Sequence, residues 1–260
     1  MEKVRPKKHL GQHFLTDLGI AEKITQAVSG HEGVRKVLEI GPGMGVLTDF
    51  LIPQGWDLYL VDIDKESVAY LHKKYPQLES KIIEADFLKQ DIGKVIGGKY
   101  IVVGNFPYNI SSQIFFKILP ERDKVVEIVC MLQKEVAQRI ASPKGNKDYG
   151  ILSVLLQAFY DIAYLFDVSA QVFDPPPKVT SGVIRLERNQ VKELGCDEKL
   201  FFTVVKQAFS TRRKTLRNAL KPMGLTDTLK EDPILDKRAE QLDVEEFIQL
   251  TNKIQEAWKQ

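Results

Sequence analysis

The chain has 260 residues, 43% of them hydrophobic and 28% charged, which suits one large domain or a domain with a small appendage and excludes a disordered or fibrous protein. Its formal net charge of +2 is too small for a whole-molecule field that attracts nucleic acid, so any such partner must be met by a local patch. No apolar run is long enough to span a bilayer, and no apolar core follows the positive charges of MEKVRPKKHLGQHF. Cys130 and Cys196 lack CxxC spacing, so a cytosolic protein with free thiols is expected.

In chain order, Asp17 predicts a helix cap, with the helix running toward Ser29. VLEI (37–40) predicts a strand that enters GPGMG, and a helix follows. DLYLVDI (57–63) is a second strand, followed by a helix through Tyr70 and Leu71, with Asp64 as its N-cap before Lys65. KIIEA (81–85), YIVVGN (100–105) and VEIVCML (126–132) are further strands, the last followed by a helix from Lys134 to Ile140. This alternation predicts a mostly parallel sheet with helices on both faces. After the polar loop PKGNKDYG (143–150), AYLFDV and SGVIRLER predict two more strands, with FDPPPKV as a rigid extended loop between them. Beyond about residue 190 only helical spacing remains: Phe201, Val204, Val205 and Ala208; then Leu216, Ala219 and Leu220; then Val244 to Trp258. The expected division is residues 1–189 as an α/β domain and 190–260 as a small helical domain.

Three strand tips carry polar residues suited to one ligand. Glycines Gly41 to Gly45 at a strand-to-helix turn let a ligand approach the backbone. Asp62, at the tip of the second strand, suits ribose hydroxyls, and Asp86 in EADF suits an adenine amine. The GxGxG spacing, in place of GxGxxG, leans toward S-adenosylmethionine over NAD.

The fourth tip reads Asn105-Phe106-Pro107-Tyr108. The lone pair of adenine N6 is delocalised into the ring, which makes it a poor nucleophile. A side-chain carbonyl from Asn105 and a backbone carbonyl from Phe106 or Pro107 would accept its two N–H bonds and localise that pair. Tyr108 would stack on the base, and Phe173, ahead of three prolines, offers a second stacking wall or plain packing. The HxxxH pair His9 and His13 lacks a third ligand, so no metal is expected.

Basic residues gather in two places. One is the leader with Lys3, Arg5, Lys7 and Lys8. The other is KQAFSTRRKTLRNALK (206–221), which has six basic residues and no acid. There Arg213, Arg217 and Lys221 recur every four residues, which predicts one basic helix face, with Arg212 and Lys214 beside it.

KKHLGQHFL, LEIGPGMGVLT, VDID, EADFL, GNFPYNIS, MLQKEVAQRI, FDPPPKV and FSTRRKTLRNAL occur in the order found in the ribosomal RNA adenine dimethyltransferases, so the chain resembles that family along almost its whole length. The match is narrower still to the bacterial branch acting on the small subunit. The resemblance implies a Rossmann-like S-adenosylmethionine-dependent methyltransferase domain with a small all-helical C-terminal domain. It implies N6-dimethylation of two adjacent adenosines in the loop of the last helix of small-subunit (16S) rRNA, in a 30S subunit or an assembly intermediate. A monomer without membrane contact is expected. For the cofactor it implies Gln12, His13 and Leu15 of GQHFL, then Glu39, Gly41 and Gly43 of the glycine turn. Asp62 with Ile63, Asp86 with Phe87, and Asn105 complete that set. Pro107, Tyr108 and Phe173 join Asn105 around the target base, and the helix with Arg212, Arg213, Lys214, Arg217 and Lys221, aided by Lys7 and Lys8, is expected against the RNA. Where the family has Asn, this chain has His13; where it often has Glu, Asp62; where it usually has Leu, Phe106. The alternatives are methylation of another adenine or an amide nitrogen, and a binding factor acting as an assembly checkpoint.

Overall fold

The computed structural model describes residues 4–211 and 213–259. Two compact units emerge, one of Met1–Ala137 with Asp161–Arg188 and one of Gln138–Tyr160 with Asn189–Gln260. The segment 138–160, expected with the first domain, groups with the carboxy-terminal helices.

In the first unit, β2 (Lys36–Ile40), β3 (Asp57–Asp62), β4 (Ile82–Glu84), β5 (Tyr100–Asn105) and β6 (Val125–Gln133) belong to a seven-stranded sheet. β7 (Tyr160–Val168) and β9 (Ser181–Arg188) complete it, in the order β4-β3-β2-β5-β6-β9-β7. β2 pairs in parallel with β3 and β5, β3 with β4, and β5 with β6, while β9 runs antiparallel to β6. The central strands are buried along nearly their whole length, which is why they read as β-branched runs without alternation. Strand order reverses at β2, so the carboxyl ends of β2 and β5 flank a crevice open to a ligand. α1 (Leu18–Gln26) starts at Asp17, whose carboxylate accepts from the Ile20 amide at 2.9 Å. The short α2 (Thr48–Leu51) follows the glycine turn. α3 (Lys65–Lys74) starts at Asp64, which accepts from the Glu66 amide. α4 (Ile92–Ile96) lies between β4 and β5, α5 (Ser111–Ile118) follows the tip of β5, and α6 (Lys134–Ala141) follows β6 directly. Among the described residues no helix is long and apolar enough to cross a membrane.

FDPPPKV is more than a loop. Its first two residues form β8 (Phe173–Asp174), antiparallel to β1 (Phe14–Leu15), with Leu15 opposite Phe173. The Thr16 amide extends the pairing onto the Val172 carbonyl at 2.8 Å. Two residues cannot show a strand period, so the pairing is invisible in the pattern.

In the second unit α7 (Ile151–Gln157), α8 (Glu198–Ala208) and α11 (Val244–Ala257) pack together, with Phe201, Val204, Val205, Phe247, Leu250 and Ile254 fully buried. Asp197 caps α8, and Asp243 with Glu246 forms a capping box on α11. The expected basic helix over 213–221 does not form. α9 is only Leu216–Ala219: Thr215 before it is extended and bridges to Arg238, and the turn after it contains Pro222, which has no amide to continue the ladder. α10 (Asp227–Lys230) is equally short.

Gly104 sets the spacing of the two central tips. A Cβ there would lie 2.6 Å from the Ile40 carbonyl. Gly104→Ala is therefore expected to lower the unfolding free energy by about 1–3 kcal/mol, the cost of overpacking, in a urea titration with unchanged slope.

Candidate active site

The tips of β2, β3 and β5, the turn after β4 and the segment 9–15 enclose a cavity of about 310 Å³. Gly41, Gly43 and Gly45 all have positive φ, which turns the chain sharply off β2. A Cβ at Gly45 would lie 2.3 Å from the Tyr75 hydroxyl. That hydroxyl donates to the Gly45 carbonyl at 2.9 Å and to Asp49, so the turn is braced from outside. At Gly41, a Cβ would meet nothing closer than the Asn105 carbonyl at 4.0 Å, so the cleft side is open.

Among the described residues three carboxylates line this cavity, and no lysine or arginine does. Asp62 is 7% exposed; one oxygen accepts the Gly43 amide at 3.1 Å and the other the Asp64 amide at 2.9 Å. Burial raises its carboxyl above the ordinary value, and those amide bonds oppose the shift. Glu39 is 1% exposed and accepts the Thr48 hydroxyl at 2.6 Å. Asp86 accepts the Leu88 amide at 3.0 Å. Ile63 is half exposed and Phe87 is buried, and both line the cavity. An open glycine turn, apolar walls and an excess of acceptors over cations fit an adenosyl group that carries positive charge better than a pyrophosphate.

At the tip of β5 the Asn105 amide nitrogen donates to the His13 carbonyl at 3.0 Å. A carbonyl only accepts, so the nitrogen must face it, and Oδ1 is left as an acceptor at the cavity. The Pro107 carbonyl already accepts the Ile110 amide at 3.2 Å, and both Phe106 and Pro107 line the cavity. Tyr108 shares a hydrogen bond with the hydroxyl of Ser181, a fully buried residue that no sequence motif marks. Burial raises the Tyr108 phenol, and the Ser181 bond opposes it. The imidazole of His13 stacks on Tyr108, ring centroids 5.5 Å apart and planes 28° apart. Phe173 does not line the cavity. It is 4% exposed and packs into the core with Leu15, its partner across the β1–β8 pair.

The amino-terminal segment that forms one wall is tied down at several points. The Gln12 amide donates to Asp64 at 3.2 Å, and Lys7 forms an ion pair with Asp64. Burial pushes the Asp64 carboxyl up, but the bonds from Lys7, Gln12, the Glu66 amide and Ser67 outweigh it, and the carboxyl ends below its ordinary value. Lys7 is half-buried and paired within the protein, and Lys8 beside it is exposed. Gln12 and Leu15 line the cavity, but the Gln12 side chain is spent on this tether.

In the second unit Arg213 and Lys221 are exposed, as is Lys214; Arg212, like Lys3 of the leader, lies outside the described residues. Arg217 is not free: its guanidinium pairs with Asp236 at 2.6 Å and donates to the Lys230 carbonyl. The even basic face expected from four-residue spacing is therefore broken in its middle.

A family model described as Ribosomal RNA adenine dimethylase matches residues 3–256. A ribosomal RNA small subunit methyltransferase A of Flavobacterium johnsoniae is 59% identical over 256 residues, 98% of this chain and 98% of that protein. The protein of the same name from Cytophaga hutchinsonii is 56% identical over 255 residues, 98% of this chain and 99% of its own. The crystal structure of a dimethyladenosine transferase from Plasmodium falciparum superposes with a TM-score of 0.78 at 25% identity, covering 95% of this chain and 98% of that one. The 23S rRNA methyltransferase ErmE has the same fold, with a TM-score of 0.62 at 23% identity over 93% of this chain and 99% of its own.

Burial pushes the Glu39 carboxyl from an ordinary 4.5 up to about 8, with the Thr48 hydroxyl opposing and the nearby Asp62 and Asp49 charges adding to it. Between those two values the folded protein holds a proton that the unfolded chain has released. The stability this proton contributes is complete below pH 4.5 and is lost as pH rises through about 8. Glu39→Gln keeps the shape without the charge. Urea midpoints of variant and wild type should agree at about pH 5, and the variant's should be the higher at about pH 9.

Proposed function

The chain belongs to the ribosomal RNA adenine dimethylase family, and we propose that its cleft presents N6 of two adjacent adenosines, in the loop of the last helix of small-subunit rRNA, for methylation. As a member of that family it is an S-adenosylmethionine-dependent methyltransferase acting on rRNA adenine. The observation that carries the finer reading is the polarity of Asn105, whose nitrogen is spent on the His13 carbonyl and whose oxygen is left at the cavity.

In this reading Asp62 accepts from the ribose hydroxyls, Asp86 from the adenine amine, and Ile63 and Phe87 flank the purine of the cofactor. The Gly41–Gly43 backbone and Glu39 lie toward its methionine end. When bound, S-adenosylmethionine supplies an electrophilic methyl group and departs as a neutral thioether. The chain's own work is geometric. Asn105 Oδ1 and the backbone carbonyl of Phe106 or Pro107 accept the two N6–H bonds, drawing the nitrogen toward tetrahedral geometry and its lone pair toward the methyl group. Pro107 fixes the turn that aims that carbonyl, and Tyr108, held by Ser181, gives the base a flat seat. No strong base is required, because N6 becomes acidic once it carries the new bond. The adenine must leave its stack to reach this tip, and unpaired loop bases leave it at least cost. Arg213, Lys214, Lys221 and Lys8 are the cations suited to phosphate contacts. The setting is a 30S subunit or an assembly intermediate in the cytoplasm, and the enzyme acts as a monomer.

Incubation with labelled S-adenosylmethionine and unmodified small subunits should put the label in N6-dimethyladenosine at two adjacent positions. Label in another nucleoside, or in protein, would overturn the proposed substrate. Asn105→Ala should lower the rate about 10²–10³-fold, the effect of removing one preorganised polar group, while leaving RNA affinity largely unchanged.

Arg213→Glu with Lys214→Glu should weaken RNA binding and flatten its dependence on salt by about one unit of slope for each phosphate no longer neutralised. Arg217→Glu should act differently. It breaks the pair with Asp236, so a lower Tm is expected along with any loss of RNA binding.

A further inference from the structure

The last helix of the second unit ends on an aromatic ring that its core leaves half in water. Phe247, Leu250 and Ile254 form the buried stripe of α11, each 0% exposed. Trp258 continues that stripe at the next four-residue step, yet it is 50% exposed. Its indole N–H donates to the Met223 carbonyl at 3.2 Å, in the turn Lys221–Met223 that follows α9. One edge of the ring is therefore fixed by backbone while half of its surface stays open. A ring held in this way has little freedom left to lose when a partner stacks on it.

The charges around the ring select the partner. Lys221 opens the turn that accepts the indole N–H, Lys259 follows the ring directly in sequence, and both are exposed. Asp227 and Asp232, at the two ends of the α10 segment, are paired with Lys230 at 2.8 Å and Lys253 at 2.6 Å. Among the described residues neither Lys221 nor Lys259 has an ion-pair partner. Glu256, the exposed acid in the last turn of α11, is two residues from Trp258 and so faces another side of the helix. An anchored aromatic beside uncommitted cations suits single-stranded nucleic acid, whose bases stack on the ring while its phosphates meet the charges. A duplex keeps its bases stacked inside and offers such a ring only backbone. An apolar protein patch would use the ring but not the two lysines.

Resting on the function proposed above, we propose that Trp258 is a stacking seat for an unpaired base of the RNA substrate, with Lys221 and Lys259 on the adjacent phosphates. The seat is built from residues of the second unit alone. It gives that unit a preference for unpaired over duplex segments, which cations alone do not provide.

Trp258 reports on its own occupancy, because the chain has one other tryptophan, Trp56, whose ring is covered by the Arg35 guanidinium at 4.3 Å from its centroid. Titration with a single-stranded oligoadenylate of about 12 nucleotides should quench the wild-type emission, and a blunt RNA duplex of equal length should not. Trp258→Phe should bind the oligoadenylate within about threefold of wild type and show no quenching. Trp258→Ala should bind it about tenfold more weakly, and should raise KM for unmodified small subunits with kcat unchanged. The inference falls if oligoadenylate leaves the wild-type emission unchanged, if the duplex quenches it equally, or if the Phe variant binds no better than Ala. Emission that shifts with protein concentration in the absence of RNA would place a second copy on the ring and would overturn it as well. Wild type that transfers no methyl to adenine would overturn the functional proposal; quenching absent while transfer is intact would overturn this inference alone.

Discussion

The site depends on one hydrogen bond, from the Asn105 amide to the His13 carbonyl. An amide side chain has a donor end and an acceptor end, and a methyltransferase of amines needs the acceptor end at the substrate. A carbonyl opposite the amide settles the matter, since it can bind only the nitrogen. That carbonyl must itself be held still. The β1–β8 pair, the Thr16 bonds to Val172 and the Gln12 and Lys7 tethers to Asp64 do this, and each lies within a few residues of His13.

The second constraint is electrostatic. A cavity lined by Glu39, Asp62 and Asp86 and, among the described residues, by no lysine or arginine is costly for the protein alone, because burial penalises the negative charges of Glu39 and Asp62. Each carboxylate shows how that cost is met. Asp62 is held by two backbone amides, Asp86 by one amide and the Lys89 ammonium at 3.5 Å, and Glu39 by a hydroxyl and a raised affinity for its proton. A cationic ligand reverses the sign of the problem, since the same charges then attract it. Affinity for such a ligand is therefore partly prepared in the folding cost.

What the sequence disclosed, it disclosed through local rules. β5 and β6 are buried on both faces and so are unbroken apolar runs rich in β-branched residues; Asp17 and Asp64 announce helix starts because a carboxylate there binds free amides. The strand-tip residues were legible for the same reason, since position along a parallel strand fixes which end faces the crevice. Contacts distant in sequence were not. Phe173 meets Leu15 from the opposite end of the first unit's sequence, Arg217 meets Asp236 from beyond two turns, and Ser181 meets Tyr108 from another strand. Charge spacing misled for a specific reason: 213–221 has helical period, but Thr215 within it is extended and Pro222 follows it at once, so the period never becomes one face.

Chemistry and recognition also place different demands on the backbone. Accepting two N–H bonds while aiming a lone pair leaves little room for positional error, which is why those acceptors sit at the end of a buried strand rather than on a loop. Phosphate contacts tolerate far more, because a lysine or arginine carries its charge on a long flexible stem and the field falls off gradually. Exposed cations on irregular turns, such as Arg213, Lys214 and Lys221, are adequate for that task, and a rigid helix is not required. The short α9 and the broken basic face are then compatible with the RNA contacts proposed for this unit. The rigid core beneath, built on Phe201, Leu216, Leu220 and Phe247, needs only to hold the turns apart and leave their side chains in water.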